Sequence, residues 1–207
     1  MSGEGGEDRF ARVLADPTIQ RIRTALDSHQ PVRADDEPGV RRAAVALIFR
    51  AGSDGGLELL LIKRAEYPGD PWSGQVAFPG GREEAGDASL AETAVRETRE
   101  ETGIDLSREG MLLGILDDLR PRTVRLPAIV VRPFVAILDR HEPLELSQEV
   151  ALAFWVPFGS LTRTDSWRDD TVFARGIQIN ARVFQHEDHI VWGMTERILT
   201  QLIALIG

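Results

Sequence analysis

The sequence predicts an α/β or α+β sandwich in which a mixed β-sheet lies between helices. Three observations support this fold class: strand-like apolar runs recur along the chain, a helical segment follows the Gly80-Gly81 pair, and an amphipathic helix closes the sequence. Strands interrupted by helices are typical of sheets whose faces are covered by helices. With 207 residues, 43% of them hydrophobic, the chain is long enough for one main domain and an appendage.

The first 38 residues predict the appendage. Apolar residues recur at helical spacing over residues 9–29, with a break at Asp16-Pro17. We therefore expect one or two short amphipathic helices that pack on the main body. The polar stretch 33–38 predicts a linker, so the chain divides into an N-terminal helical arm with its linker, 1–38, and a main domain, 39–207.

Residues 41–49 and 57–62 predict two central strands, because both are β-rich apolar runs and a Gly-rich turn at 51–56 separates them. The following stretch, residues 63–81, is long and rich in proline and glycine. We expect it to form a surface loop that leads into a short strand at 75–78. Loops of this kind often carry functional residues.

A helix is predicted over residues 89–102. Asp87 or Ser89 can cap its first turn, with Glu92 completing a capping box if Ser89 is the cap. Gly103 supplies the stop signal.

Three carboxylates, Glu97, Glu100 and Glu101, share one face of this helix at spacing i, i+3 and i+4. Like charges one turn apart repel, and acids near a helix C-terminus oppose the helix dipole. A hard divalent cation such as Mg²⁺ would reverse that cost, because it takes oxygen ligands. The row therefore favours a metal site beside the Gly80-Gly81 turn, and a solvated acidic helix face is the alternative.

Further strands and turns follow the helix, and a second helix ends the chain. The predicted elements are strands at 111–116, 128–138 and 153–157, a turn or short helix at 158–161, a hairpin of 171–174 with 177–184, and a terminal helix opened by residues 190–197 and running to about 206.

The composition excludes several classes of function. A net charge of −9 argues against nucleic acid and anionic membranes as partners. There are no cysteines, no apolar run approaches the roughly 20 residues that span a bilayer, and the acidic N-terminus does not fit a signal peptide, so we expect a cytoplasmic location. The four histidines show no metal-ligand spacing.

Residues 96–104, RETREETGI, resemble the second half of the Nudix box, G-x5-E-x7-R-E-U-x-E-E-x-G-U with U apolar. Thr98 stands where an aliphatic residue is usual. The first half of the box fits only with one extra residue, so Asp87, or Glu83 or Glu84, must stand in for the early glutamate.

The resemblance implies the Nudix fold and a pyrophosphohydrolase of nucleoside diphosphates linked to another moiety. It implies that Mg²⁺ or Mn²⁺ is held by Glu97, Glu100 and Glu101 and by the Gly80 carbonyl. Arg96 would orient Glu97 or its neighbour through charge-assisted hydrogen bonds. Glu97, Glu100 and Arg96 are the candidate catalytic residues, and the sequence leaves open which glutamate acts as the base.

Within this family, GQVAFPGGR and LLIKRA upstream of the helix resemble the coenzyme A diphosphatase branch, as do PFV at 133–135 and VWGMT at 191–195. Gly69 or Asp70 departs from that branch, because a basic residue is usual there. The resemblance implies cleavage of coenzyme A or an acyl derivative to 3′,5′-ADP and a phosphopantetheine. ADP-ribose or another nucleoside diphosphate derivative is the alternative substrate, and a non-catalytic nucleotide sensor is the alternative of another class.

Several charged side chains outside the box are candidates for the same site. The segment 117–127 contains three arginines, which either form a solvated loop or bind an additional phosphate. Glu149 is either an additional acid facing the metal or a solvated strand-edge residue. We expect a small nucleotide-containing substrate as the partner, and a homodimer is a candidate assembly. The candidate substrate-binding residues are Arg64, Arg82, Arg120, Arg122 and Arg125.

Overall fold

The computed structural model describes residues 8–121, 127–139, 143–174 and 176–207, and the predicted sandwich of a mixed sheet between helices is confirmed. Short 3₁₀ turns at Asp8–Phe10 and Thr164–Ser166 accompany the α-helices. The α-helices are Ala11–Leu14 (α1), Pro17–Ser28 (α2), Leu90–Thr102 (α3), Leu106–Glu109 (α4), Phe158–Thr162 (α5) and Gly193–Ile206 (α6).

The strands form two sheets. The larger sheet has the order β3-β2-β1-β6-β5, with β4 also paired to β1 and β7 to β2, and only the β1–β6 pair is parallel among these. The smaller sheet is the antiparallel series β10-β9-β8. The strands are Arg41–Ala51 (β1), Leu57–Arg64 (β2), Val76–Ala77 (β3), Gly80–Arg82 (β4), Gly110–Ile115 (β5), Ile129–Leu138 (β6), Val150–Pro157 (β7), Trp167–Ala174 (β8), Ile177–His186 (β9) and His189–Val191 (β10).

Strand β1 is apolar without interruption over residues 43–49, and both of its faces are covered there. Ala46 and Ile48 face α4 and the chain that follows α3, in a cluster with Ile104. Leu47 and Phe49 face the opposite side, where they pack with residues of α2 and α6. Successive side chains of a strand point to opposite faces, so a strand buried on both faces loses its apolar–polar alternation.

The N-terminal arm packs on the main body, as expected. Pro17 occupies the first turn of α2, and the Asp16 carboxylate caps it by accepting the Thr18 N–H at 2.7 Å. Ile19 and Ile22 are fully buried in the same cluster as the terminal helix α6. The arm therefore contributes to the main core.

Some boundaries differ from the sequence prediction because pairing with distant strands decides them. Strand β4 was not predicted, since Gly-Gly-Arg carries no apolar pattern. The strand expected at 75–78 is reduced to Val76–Ala77. Residues 190–191, expected in the terminal helix, belong to β10, and the helix begins at Gly193. Within the described ranges, no helix is both long and apolar enough to cross a membrane.

Candidate active site

Helix α3 begins and ends at its predicted capping residues. The Ser89 hydroxyl accepts the Glu92 N–H at 3.3 Å, and the Glu92 carboxylate accepts the Ala88 N–H at 2.9 Å. Gly103 has a left-handed φ of 79° and donates its N–H to the Arg99 carbonyl. These caps fix the ends of the helix, and with them the directions of its acidic side chains.

Two of the three predicted acids turn inward, toward the Gly80-Gly81 pair. Glu101 is 3% exposed, and its carboxylate accepts the Gly80 N–H at 2.8 Å. The Glu97 carboxylate lies so close to Gly81 that a Cβ at that glycine would stand 2.4 Å from Oε1 of Glu97. Strand β4 holds the two glycines in place by pairing with β1.

The backbone of Gly80 can add a carbonyl oxygen to these two carboxylates. The Ala46 N–H donates to the Pro79 carbonyl, and the Glu83 N–H donates to the Arg42 carbonyl. Residues of an antiparallel ladder alternate between bonding toward and away from the partner strand, so both polar groups of Gly80 face away from β1. Its carbonyl therefore points to the same edge as the N–H that bonds the buried acid.

Arg96 ties the loop before the helix to two of the acids. Its Nε and Nη2 atoms donate to the two carboxylate oxygens of Asp87 at 2.9 and 3.0 Å, and Nη2 also donates to the Arg82 carbonyl at 2.9 Å. The Nη1 atom donates to Glu97 at 3.0 Å and to Glu100 at 3.1 Å. Because charge-assisted forks are strong and directional, Arg96 is placed to orient Glu97.

Three acids are candidates for the early position of the box, and of these Asp87 pairs with Arg96 at hydrogen-bond distance. Glu84 is 4.0 Å from Arg96, and Glu83 lies 3.8 Å from Arg42 instead. The Arg96 hydrogen bonds hold the pKa of Asp87 well below its usual range, although desolvation opposes the shift. The signal for Asp87 in the sequence was its place one turn before the helix.

The inward acids crowd one another. Burial raises the pKa of Glu97, and repulsion from Glu100 and Glu149 adds to the rise. Burial also raises the pKa of Glu101 to about 7, against the opposing effects of the Gly80 N–H and of Arg64, and repulsion from Glu97 and Glu149 adds to the rise. Negative charge is therefore concentrated where Glu97 and Glu101 meet the Gly80-Gly81 pair, a place that we call the corner. A bound cation would reduce the repulsion between these carboxylates.

Glu149 and Arg64 flank the corner. The Ala65 N–H donates to the Glu149 carbonyl at 2.8 Å, and the exposed Glu149 carboxylate is near enough for its charge to raise the pKa of Glu97 and of Glu101. Arg64 donates from Nη2 to Asp70 at 3.0 Å, and its Nη1 atom lies 3.8 Å from Glu101. In the sequence Asp70 stands out only as a departure from the branch pattern, and its ion pair with Arg64 appears only in the folded chain.

The remaining predicted arginines are in different situations. Arg82 is exposed next to the glycine pair, and no carboxylate of the described residues pairs with its guanidinium. Arg120 forms a 2.8 Å ion pair with Glu37 of the linker. Arg122 and Arg125 lie outside the described residues. The structure thus brings Arg64 and Arg82 to the edges of the site.

The corner fits a hard divalent cation. In the part of the chain that the structure describes, no three acidic or histidine side chains have already converged for a metal ion. Mg²⁺ nevertheless needs few protein ligands because it keeps several waters, and the donors here are all oxygens. Glu97, Glu101 and the Gly80 carbonyl would hold it, and Glu100, whose side chain is 54% exposed, would reach it from the rim.

Metal-free protein should lose stability as the pH rises from about 4.5 to 7. The pKa of Glu101 is raised to about 7 by burial, so the folded state holds a proton that the unfolded chain, with a pKa near 4.5, has released. This stabilising contribution is present at low pH and is lost as the pH rises through the folded pKa. At pH 8 the free energy of unfolding of Glu101→Gln should therefore exceed that of wild type by about 2–3 kcal/mol, measured by denaturant unfolding.

The same variant gives the metal test. Magnesium or calcium should raise the melting temperature of wild type by mass action and leave Glu101→Gln unmoved. Melting curves at pH 5 and pH 8, with chelator and with metal, check both effects. An equal metal shift in the two proteins would exclude Glu101 as a ligand.

Thr98→Val should stabilise the protein by about 1 kcal/mol, because Thr98 is fully buried and its hydroxyl has no hydrogen-bond partner among the described residues. Thr93→Val is the matched control on the same helix, since the Thr93 hydroxyl donates to Asp87 at 2.9 Å and its loss should destabilise. Urea unfolding measures both. A lower midpoint for Thr98→Val would contradict the assignment of that hydroxyl as unsatisfied.

A mixed sheet between helices, with an acidic helix set against a Gly-Gly turn, is the arrangement that the resemblance to the Nudix hydrolases predicts. The family model described as the NUDIX domain matches residues 40–175, more than half of the chain. The chain therefore belongs to the Nudix hydrolase family, and the predicted family is confirmed.

Individual relatives agree with this assignment. The protein named "Uncharacterized Nudix hydrolase NudL" from Salmonella typhimurium is 33% identical over 192 residues, which cover 92% of this chain and 95% of that protein. The same figures hold for the protein of that name from Salmonella paratyphi B. Among solved structures, a MutT/nudix family protein from Enterococcus faecalis superposes with a TM-score of 0.52 at 16% identity, covering 95% of this chain and 72% of that one, a likeness of fold alone.

Proposed function

We propose that this Nudix hydrolase is a Mg²⁺- or Mn²⁺-dependent diphosphatase that cleaves the phosphoanhydride of coenzyme A or of an acyl derivative. The products are 3′,5′-ADP and a phosphopantetheine. The observation that carries the proposal is the corner where Glu97 and Glu101 crowd together against the Gly80-Gly81 backbone. Its oxygen donors and excess negative charge suit a cation that carries a diphosphate.

The side chains around this corner have separable tasks in such a reaction. Glu97, Glu101 and the Gly80 carbonyl would hold the cation, and a bound cation would supply Lewis-acid polarisation of the diphosphate oxygens. Water forms a bond to one phosphorus as the bridging P–O bond breaks, and its proton passes to a carboxylate. Glu100 is exposed on the rim and held by Arg96 at 3.1 Å, so it is a candidate acceptor, with Glu97 as the alternative.

Selection of coenzyme A requires a cation for the ribose 3′-phosphate, because the protein as a whole carries a net charge of −9. Arg82 is the strongest candidate, since it adjoins the glycine pair and no described carboxylate pairs with it. Arg64 and Arg120 are already engaged by Asp70 and Glu37. An arginine whose charge is not neutralised binds phosphate most strongly.

The same pairing favours a second candidate substrate. If Asp70 and Glu37 keep their arginines, the site holds fewer cations for an additional phosphate, and ADP-ribose or a related nucleoside diphosphate derivative fits as well. The acids of the box are complete, which supports catalysis over a purely sensing role.

Coenzyme A should be cleaved with a kcat/KM about tenfold or more above that of dephospho-coenzyme A, since one charge-assisted contact is worth roughly 1.5–3 kcal/mol. Arg82→Gln should remove the preference, and Arg120→Gln should leave most of it. Equal values for the two substrates in wild type would refute the 3′-phosphate contact. Faster cleavage of ADP-ribose than of either would assign the enzyme to the second candidate.

A further inference from the structure

A cavity of about 1050 Å³ lies between the β8–β9 hairpin, helix α6 and the loop that precedes β3. Ligand pockets for drug-sized molecules usually measure about 300–1,000 Å³ and are mostly apolar, so this volume is sufficient for a flexible organic group. The predicted metal ligands and candidate bases do not line it. Its walls include Trp72, Ile179, Ala181, Trp192 and Met194.

The walls suit an uncharged chain better than a phosphate. Side-chain amides of Gln75, Asn180 and Gln201 stand among the aromatic and aliphatic groups. The two arginines of the wall have contacts elsewhere: the Arg182 guanidinium lies 5.5 Å from the centre of the Trp167 ring, and Arg197 donates to the Arg120 carbonyl at 2.6 Å. Glu196 adds a negative charge to the same wall. Positive charge is therefore not concentrated in the cavity, whereas partners for amide groups are present.

The cavity adjoins the catalytic corner across one strand. Trp72, Met194 and Val45 of β1 all pack against one buried cluster, formed by Ala43, Ile129 and Val131. Val45 is also the register partner of Gly80 in the β1–β4 pair. Opposed residues that do not exchange hydrogen bonds have Cα atoms about 4.5 Å apart. Along the chain, Gln75 is followed five residues later by Gly80, and five extended residues span at most about 18 Å.

Resting on the proposed function, we infer that this cavity holds the pantetheine arm of the substrate and the acyl group attached to it. The arm is an uncharged chain with two amides, and its length is comparable with a few residues of extended peptide. Its amides match the side-chain amides of the wall, its methyl groups match the two tryptophans, and the remaining volume takes an aliphatic acyl chain. The preferred substrate class is then an acyl thioester of coenzyme A.

Strand β9 offers a matched pair of variants. Ala181 lines the cavity and is half-buried, so Ala181→Trp would fill it. Gln178 is exposed on the same strand and is not part of the wall, so Gln178→Trp adds the same side chain outside. Tryptophan is favourable in strands at both positions. Circular dichroism and the magnesium-induced rise in melting temperature should be the same in both variants.

The first measurement is kinetic. Ala181→Trp should lower kcat/KM for octanoyl-coenzyme A about tenfold or more, mainly through KM, and Gln178→Trp should change it less than about twofold. Equal effects of the two variants would overturn the inference.

The second measurement needs no hydrolysis. Saturation-transfer NMR with S-octanoyl-pantetheine, which lacks phosphate, should show binding to wild type and Gln178→Trp and loss of binding in Ala181→Trp. If wild type cleaves coenzyme A while this probe fails to bind or binds all three proteins alike, the cavity inference falls and the proposed function stands. If wild type cleaves no coenzyme A ester but the probe binds in the expected pattern, the proposed function falls and the cavity is still a pantetheine site.

Discussion

Glu97→Gln should lower kcat by about 10³-fold or more while leaving the free energy of unfolding unchanged or higher. Its carboxylate lies over Gly81 and receives a hydrogen bond from Arg96 at 3.0 Å, so its charge faces the proposed cation. Burial raises its pKa, which means that the folded protein holds the charge at a cost. Removing that charge should therefore impair turnover without impairing folding. Turnover of a diphosphate substrate tests the expected loss of kcat, and urea unfolding of the same preparations tests the expected stability.

Two other glutamates of α3 complete the experiment. Glu92→Gln is the matched control, because its side chain caps the first turn through the Ala88 N–H and a glutamine oxygen can still accept that bond. Glu100→Gln should also lower kcat strongly, but with a smaller loss of metal affinity, since its carboxylate is on the exposed rim. If Glu97→Gln and Glu100→Gln both keep turnover within about fivefold of wild type, these acids do not form the active site.

Gly81→Ala should lower turnover about 10²-fold with a loss of stability below about 1 kcal/mol. The new Cβ would stand 2.4 to 2.6 Å from the Glu97 carboxylate. That carboxylate is the far end of a flexible side chain, so it can move away cheaply, but it then leaves the catalytic position. Kinetics and thermal unfolding of the purified variant provide the check.

The neighbouring glycine should respond in the opposite way. Gly80 has a φ of 150°, and a Cβ there would stand 2.2 Å from the Ala44 carbonyl oxygen and 2.6 Å from the Val45 Cα. Backbone atoms of a paired strand cannot give way, so Gly80→Ala should destabilise the fold by about 3 kcal/mol or more. Wild-type turnover in Gly81→Ala, or a stable and active Gly80→Ala, would contradict the described packing of β4.

The parts of the site that depend on nearby residues were predictable. Helix α3 has its boundaries because Ser89 and Gly103 act within one turn of its ends, and the acids share a face because helical spacing requires it. The sequence could not tell that Glu97 and Glu101 turn inward while Glu100 faces solvent. That distinction arises from β4, three residues without an apolar pattern that are placed by pairing with β1.

Charge pairing was also beyond the sequence. Arg64, in a loop rich in proline and glycine, and Arg120, in a segment with three arginines, were candidate phosphate ligands, but Asp70 and Glu37 engage them in the folded chain. The partner of Arg120 comes from the linker, far away in sequence. Only the backbone path of that linker, held by the Asp117 and Asp118 carboxylates, brings the two together.

The parallel pairing of β1 with β6 determines how early in folding the active site can form. These strands begin at residues 41 and 129, and the helix that carries the acids lies in the crossover between them. Closing so long a loop costs chain entropy before the contacts between the two strands can compensate for it. We therefore expect slow folding with a late barrier. On the ribosome, α2 must also wait for α6, which is synthesised long after it, before its buried isoleucines find their partners. Nascent chains that lack residues 193–206 should therefore remain sensitive to protease and unable to retain metal.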